Sequence, residues 1–143
     1  MNKIAIVFWS GTGNTEAMAN YIAEGVRSAG GEAELLGPDS FSANQFSAYN
    51  AVAFGCPAMG SEVLEEIEFE PMFAALEGFL SGKRIALFGS YGWGDGQWMR
   101  DWCARCDNAG ANLLDENGLI ANEAPDAEAA EACKDLGRKL AAW

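Results

Sequence analysis

The segment Ser10-Gly11-Thr12-Gly13-Asn14-Thr15 places three hydroxyls, two glycines and an amide within six residues, just ahead of a helical stripe. Such a run supplies oriented N–H and O–H donors for an anion at a helix start. It lacks the Gly-Lys-Ser/Thr ending of a triphosphate loop. Glu16 stands where a dinucleotide fingerprint needs its third glycine. No Lys or Arg occurs between Lys3 and Arg27. An anion held here rests on neutral donors and the helix dipole, which suits a terminal monophosphate better than a magnesium–triphosphate. The same residues also suit an ordinary Gly-rich turn capped by Thr or Asn.

Two further stretches have chemistry to offer. In Cys56-Pro57-Ala58-Met59-Gly60-Ser61-Glu62, the Met59 thioether gives a soft face to a flat ring. Gly60 lets the peptide to Ser61 turn over at low cost, and Glu62 offers a carboxylate to a ring N–H. Taken alone, Met59 also reads as core filler and Glu62 as a solvated helix start. In Ser90-Tyr91-Gly92-Trp93-Gly94-Asp95-Gly96, a Trp stands between glycines that let flat surfaces come close. It suits ligand stacking, or folding back over Tyr91 or Trp98. Together the three stretches describe a phosphate cradle, a Met wall and a Trp wall. The ligand they predict is a planar heterocycle joined to one phosphate, and flavin mononucleotide (FMN) fits.

Composition removes other chemistries. There is no histidine, which excludes His acid–base catalysis, His-paired nucleophiles and most zinc or haem ligation. Nine basic against 21 acidic residues give a net charge of −12, which repels nucleic acid and anionic membranes and favours basic partners. No apolar run approaches the ~20 residues of a membrane span, and the N-terminus turns polar at Ser10 without a cleavage signal. Cys56, Cys103, Cys106 and Cys133 do not make a disulfide scaffold. A reducing cytoplasm is therefore the expected compartment. At 143 residues, half of them hydrophobic, one domain is expected over residues 1–143.

The elements that must position these loops follow from periodicity. Strands are expected at Lys3–Trp9, Glu32–Leu36, Ala51–Gly55 and Arg84–Ser90, with a last strand over 111–121 broken at Asp115–Gly118. Helices are expected at Thr15–Ala29, weakly within 40–49, within Glu62–Leu80 with Pro71 in the first turn, at Gln97–Ala109, and from Asp126 as N-cap to Ala142. This alternation implies an α/β fold, a doubly wound parallel sheet with helices on both faces. Ligands bind such sheets at the carboxyl ends of the strands. The loops after the first, third and fourth strands are the three stretches already described.

In that order and register, SGTGNTE, PAMGSE and SYGWGDG resemble the FMN loops of short-chain flavodoxins, over essentially the whole chain. The resemblance implies a flavodoxin-like five-stranded sheet of order 2-1-3-4-5 and non-covalently bound FMN. It implies that Ser10, Thr12, Gly13, Asn14 and Thr15 bind the phosphate. Met59 and Trp93 would flank the isoalloxazine, with Glu62 accepting from its N3–H. Backbone N–H groups of Gly92 to Gly94 would reach the pyrimidine edge. Ala58, Ser61, Ser90 and Tyr91 complete the implied cofactor-binding set, and Pro57 is assigned no phosphate contact.

The function so implied is low-potential transfer of one electron at a time between partner proteins, by a carrier that is not an enzyme. The Gly60 carbonyl is expected to stabilise the neutral semiquinone by accepting from N5–H. Glu62, Glu65, Glu66, Glu68 and Glu70 are expected to oppose the second, anionic reduction. The expected partners are basic redox proteins, iron–sulfur or flavoprotein oxidoreductases, with no nucleic acid or membrane, and the chain is expected to be a monomer. The rival reading is an FMN-dependent reductase using a nicotinamide donor. A receiver-type module needs acids where Trp9-Ser10 stand. A dithiol site at Cys103-Ala104-Arg105-Cys106 would lie inside a helix, not at its start, so two core-facing cysteines are expected. With no second CxxC, no metal site is expected.

Overall fold

The chain is described by a computed structural model covering residues 2–143. Strands β1 (Lys3–Phe8), β2 (Glu32–Leu36), β3 (Ala51–Gly55) and β4 (Arg84–Tyr91) lie parallel in the order β2-β1-β3-β4. The edge beyond β4 holds two short pieces, β5 (Asn112–Leu113) and β6 (Leu119–Asn122), both parallel to β4. The fifth position of the order 2-1-3-4-5 is thus filled by a broken strand, and the sheet counts six segments. The break is the Asp115–Gly118 turn, where the Asp115 carboxylate accepts the Asn117 N–H at 3.0 Å and so competes with ladder bonds.

Side chains alternate across β1. Ile4 and Ile6 join one apolar cluster with Met18, Ile22 and Val26 of α1 (Asn14–Ser28) and Cys133, Leu136 and Leu140 of α4 (Ala127–Ala142). Ala5 and Val7 join the opposite cluster, with Phe69 and Phe73 of α2 (Phe69–Leu76) and Trp98, Met99 and Trp102 of α3 (Gln97–Asn108). Both faces of the sheet are therefore covered, as near-continuous apolar strands require. The weak stretch near 40–49 forms two short 3-10 segments, Pro38–Ser40 and Ala43–Ala48, in place of an α-helix.

Helix ends follow local chemistry. Asp126 caps α4 by accepting the Ala129 N–H at 2.8 Å, an arrangement worth ~1 kcal/mol. Pro71 falls in the first turn of α2, where its missing N–H costs no bond. That helix begins because the buried Glu65 carboxylate accepts the N–H groups of Ile67, Glu68 and Phe69, each at 2.8 Å. Burial by itself would raise the Glu65 pKa. The three N–H donors outweigh it and hold the carboxyl below its ordinary value. Arg105 of α3 donates to both oxygens of Glu70 at 2.7 Å and to Glu77 at 2.9 Å, tying α3 to α2. Among the described residues, no helix is long and apolar enough to cross a membrane.

Candidate functional site

Three of the strand-to-helix loops meet at the carboxyl edge of the sheet, around a cavity of about 440 Å³. That volume lies in the roughly 300–1,000 Å³ range of small-molecule sites. Of the residues expected from sequence, Thr12, Asn14, Ala58, Met59, Ser90, Tyr91 and Gly92 line it.

The first loop leaves backbone donors open at a helix start. Gly13 precedes α1 in the left-handed region, φ 96°. The Ser10 hydroxyl accepts the N–H groups of Gly13 and Glu16, each at 3.2 Å. Among the described residues, the N–H groups of Thr12, Asn14 and Thr15 have no acceptor. They form a cradle of neutral donors at the positive end of a 15-residue helix. Thr15 itself is buried, and its hydroxyl lies 2.9 Å from that of Ser90 while accepting the Ser90 N–H at 3.3 Å. These two residues join the first loop to the end of β4 beneath the cavity.

The second loop is a tight turn. Met59 and Val63 exchange backbone bonds of 2.8 and 2.9 Å, with Gly60 at φ 49° and Glu62 at φ 58°. Gly60 and Ser61 are exposed at its tip, and the Gly60 carbonyl has no hydrogen-bond partner among the described residues. Glu62 does not line the cavity. Its carboxylate accepts the Gln97 N–H at 3.0 Å, at the start of α3. In the third loop, the N–H groups of Gly92, Trp93 and Gly94 are without partners among the described residues. Trp93 is 59% exposed and stacks on neither Tyr91 nor Trp98; those two rings instead pair with each other at 5.6 Å. Ser10, Gly13, Thr15, Gly60, Ser61, Glu62, Trp93 and Gly94 thus surround the cavity's loops without forming its lining.

Sequence reasoning left out five lining residues: Trp9, Gly11, Pro57, Glu123 and Ala124. Trp9 directly follows β1 and packs over Gly11, where a Cβ would stand 3.0 Å from the indole. Glu123 and Ala124 follow β6, and the Glu123 N–H is held by the Tyr91 carbonyl at 2.7 Å. The rule that ligands sit at carboxyl ends applies to this fourth loop as well, and it was the available signal.

The five acids after Met59 are not equivalent. Glu65 caps α2 and Glu70 is paired with Arg105, which leaves Glu66 and Glu68 exposed and Glu62 on α3. All four cysteines are free and buried. Burial pushes the thiols of Cys56, Cys106 and Cys133 up to about 12 and that of Cys103 up to about 11. The thiols of Cys103 and Cys106 face the core, as expected.

The donor set fits FMN: unpartnered neutral N–H groups at a helix start for a phosphate, and Met, Trp and Tyr surfaces for a ring. Unpartnered N–H and C=O groups in the second and third loops suit the ring's polar edge. Comparison with known proteins agrees. The family model described as Flavodoxin matches residues 6–136. The flavodoxin of Megasphaera elsdenii is 45% identical over 138 residues, covering 96% of this chain and 98% of that protein. The flavodoxin of Clostridium beijerinckii is 44% identical, covering 95% and 97%. The solution structure of two-electron reduced Megasphaera elsdenii flavodoxin superposes with a TM-score of 0.87 at 43% identity, covering 98% of this chain and 99% of that one.

Proposed function

The chain belongs to the flavodoxin family, whose members bind FMN and carry electrons without being enzymes, and from that premise we propose that it passes single electrons between redox partner proteins at low potential. The observation that supports this most is the cavity itself, with unpartnered donors at its phosphate end and along its ring edge. FMN bound here would supply the one-electron chemistry.

The chain's own residues bind and tune. N–H groups of Thr12, Asn14 and Thr15 and the Ser10 hydroxyl hold the phosphate, Gly13 supplies the left-handed turn between them, and the α1 dipole supplies the field that a nearby cation would otherwise give. Met59 and Trp93 flank the ring, and the N–H groups of Gly92 to Gly94 donate to its pyrimidine edge. Ala58, Ser61, Ser90 and Tyr91 complete the wall. One Glu62 oxygen is engaged with Gln97, so the other accepts from the ring N3–H. The Gly60 carbonyl, unpartnered at the exposed tip of the second loop, would be the acceptor for an N–H at N5 of the bound ring.

The exposed acids Glu66 and Glu68 oppose added negative charge at the ring and draw in basic docking surfaces, such as those of iron–sulfur or flavoprotein oxidoreductases. The four free, buried thiols support a reducing, cytoplasmic setting. Residues 1–143 act as one FMN-binding unit and as a monomer.

The deciding experiment is the visible spectrum of the purified protein, with FMN added if needed, during stepwise reduction. A yellow protein that passes through a stable blue form is expected. A chain that stays colourless and does not bind FMN refutes the proposal. Steady turnover of NADPH by the pure protein would favour a reductase instead.

A further inference from the structure

Glu62 holds a left-handed backbone, φ 58°, that L side chains seldom adopt. Such strain persists where the surroundings over-determine it, and here two contacts do so. The paired Met59–Val63 backbone bonds close the turn, and the Glu62 carboxylate crosses to the third loop to accept the Gln97 N–H at 3.0 Å. On the way it lies against the backbone of Gly94. Gly94 is itself in the left-handed region, φ 84°, and a Cβ there would stand 2.6 Å from the carboxyl carbon and 2.7 Å from Oε1, so the carboxylate would have to swing off Gly94 and Gln97. The third loop is held from its other end by Arg100, which donates to the Asp95 carbonyl at 3.1 Å and to its carboxylate at 2.8 Å. The N–H groups of Gly92, Trp93 and Gly94 make no bonds of their own among the described residues. Side chains, not backbone pairing, therefore set where this loop stands.

We propose that Glu62, seated over Gly94, is a latch fixing the third loop against the second, and that Gly94 is a positioning residue whose missing side chain lets the carboxylate through. Its consequence for FMN rests on the function proposed above: the latch holds the Gly92–Gly94 donors at a fixed distance from Met59 before the ring arrives.

The test is a double-mutant cycle of Gly94→Ala and Glu62→Ala. It is read as FMN affinity from flavin fluorescence and as the urea midpoint of the FMN-free chain. Gly94→Ala is expected to weaken FMN binding at least tenfold by itself and less than threefold beside Glu62→Ala. The urea midpoints should show the same non-additivity. Equal effects in both backgrounds overturn the latch, because backbone strain at Gly94 acts whatever stands at position 62. Should Gly94→Ala fail to fold, hydrogen exchange at the Gln97 amide decides. It should be fast in Glu62→Ala and slow in Glu62→Gln, whose amide oxygen still accepts. Equal protection in the unmodified chain and both variants overturns the proposal. A chain that never binds FMN refutes the proposed function, while the urea midpoints and exchange rates still judge the latch.

Discussion

Replacing Glu65 tests whether one buried carboxylate both starts α2 and anchors the segment carrying the Met59 loop. Its Oε1 accepts from Glu68 and Phe69 and its Oε2 from Ile67, all at 2.8 Å, and its own N–H points at the Cys56 sulfur at 3.3 Å. In Glu65→Ala, water can replace the carboxylate at Ile67 and Glu68, which are exposed, but not at Phe69, which is fully buried. The loss is then about one charge-assisted hydrogen bond plus an N-cap, roughly 2–4 kcal/mol. That is a large share of the ~5–15 kcal/mol that holds most domains together.

The pH dependence follows from the lowered pKa of Glu65. A carboxyl whose folded pKa lies below its unfolded value of ~4.3 contributes stability that is full above the unfolded value. That contribution is lost as pH falls through the folded one. Urea unfolding followed by circular dichroism, from pH 7 down to pH 3, should therefore show the gap between the unmodified chain and Glu65→Ala narrowing at the acid end. Glu65→Gln should cost less, because its amide oxygen still accepts from Glu68 and Phe69 while only its NH₂ opposes Ile67. Its stability should lack this acid-end loss. A cost below about 0.5 kcal/mol at pH 7, or a gap that does not change with pH, refutes the reasoning.

Four other outcomes are expected. Gly60→Ala meets no neighbour within 4 Å, so its effect is conformational. Loss of one net hydrogen bond of ~1–1.5 kcal/mol should lower the first reduction potential by about 45–65 mV at ~59 mV per tenfold, and an unchanged redox titration refutes the Gly60 role. Neutralising Glu66 and Glu68 should raise the second potential by only about 15–20 mV per charge, from ~0.4 kcal/mol at ~10 Å in water; no rise would rule out their field. Thr15→Val leaves the Ser90 hydroxyl and N–H without their partner, at a cost of about 1–3 kcal/mol in urea unfolding, and a neutral result would show that the pair is dispensable. The four buried thiols should not react with a disulfide reagent at pH 8 until the chain unfolds. Their raised pKa values stabilise the fold fully below the ordinary thiol value, and this is lost as pH rises through about 11 to 12. Rapid native-state labelling would refute their burial.

The sequence by itself determined most of the elements and pointed to FMN as the cofactor. β2 and β3 fall at the expected residues, and β1, β4, α1, α3 and α4 lie within one residue of expectation at each end. Their patterns are local: near-continuous apolar runs bounded by Gly, Pro or Asp, and helical stripes with a cap at Asp126. The open N–H groups of Thr12, Asn14 and Thr15 were legible for the same reason, since they lie within four residues at one helix start. The tertiary structure alone decided whatever depends on residues distant along the chain. Five acids follow Met59, and nothing in their spacing says that Glu65 caps α2, Glu70 meets Arg105 and Glu62 reaches Gln97, because each partner is chosen by which elements pack together. The Thr15–Ser90 pair and the closing of the cavity by Trp9 and Glu123 arise the same way, from a parallel sheet that gathers the ends of separated strands at one edge.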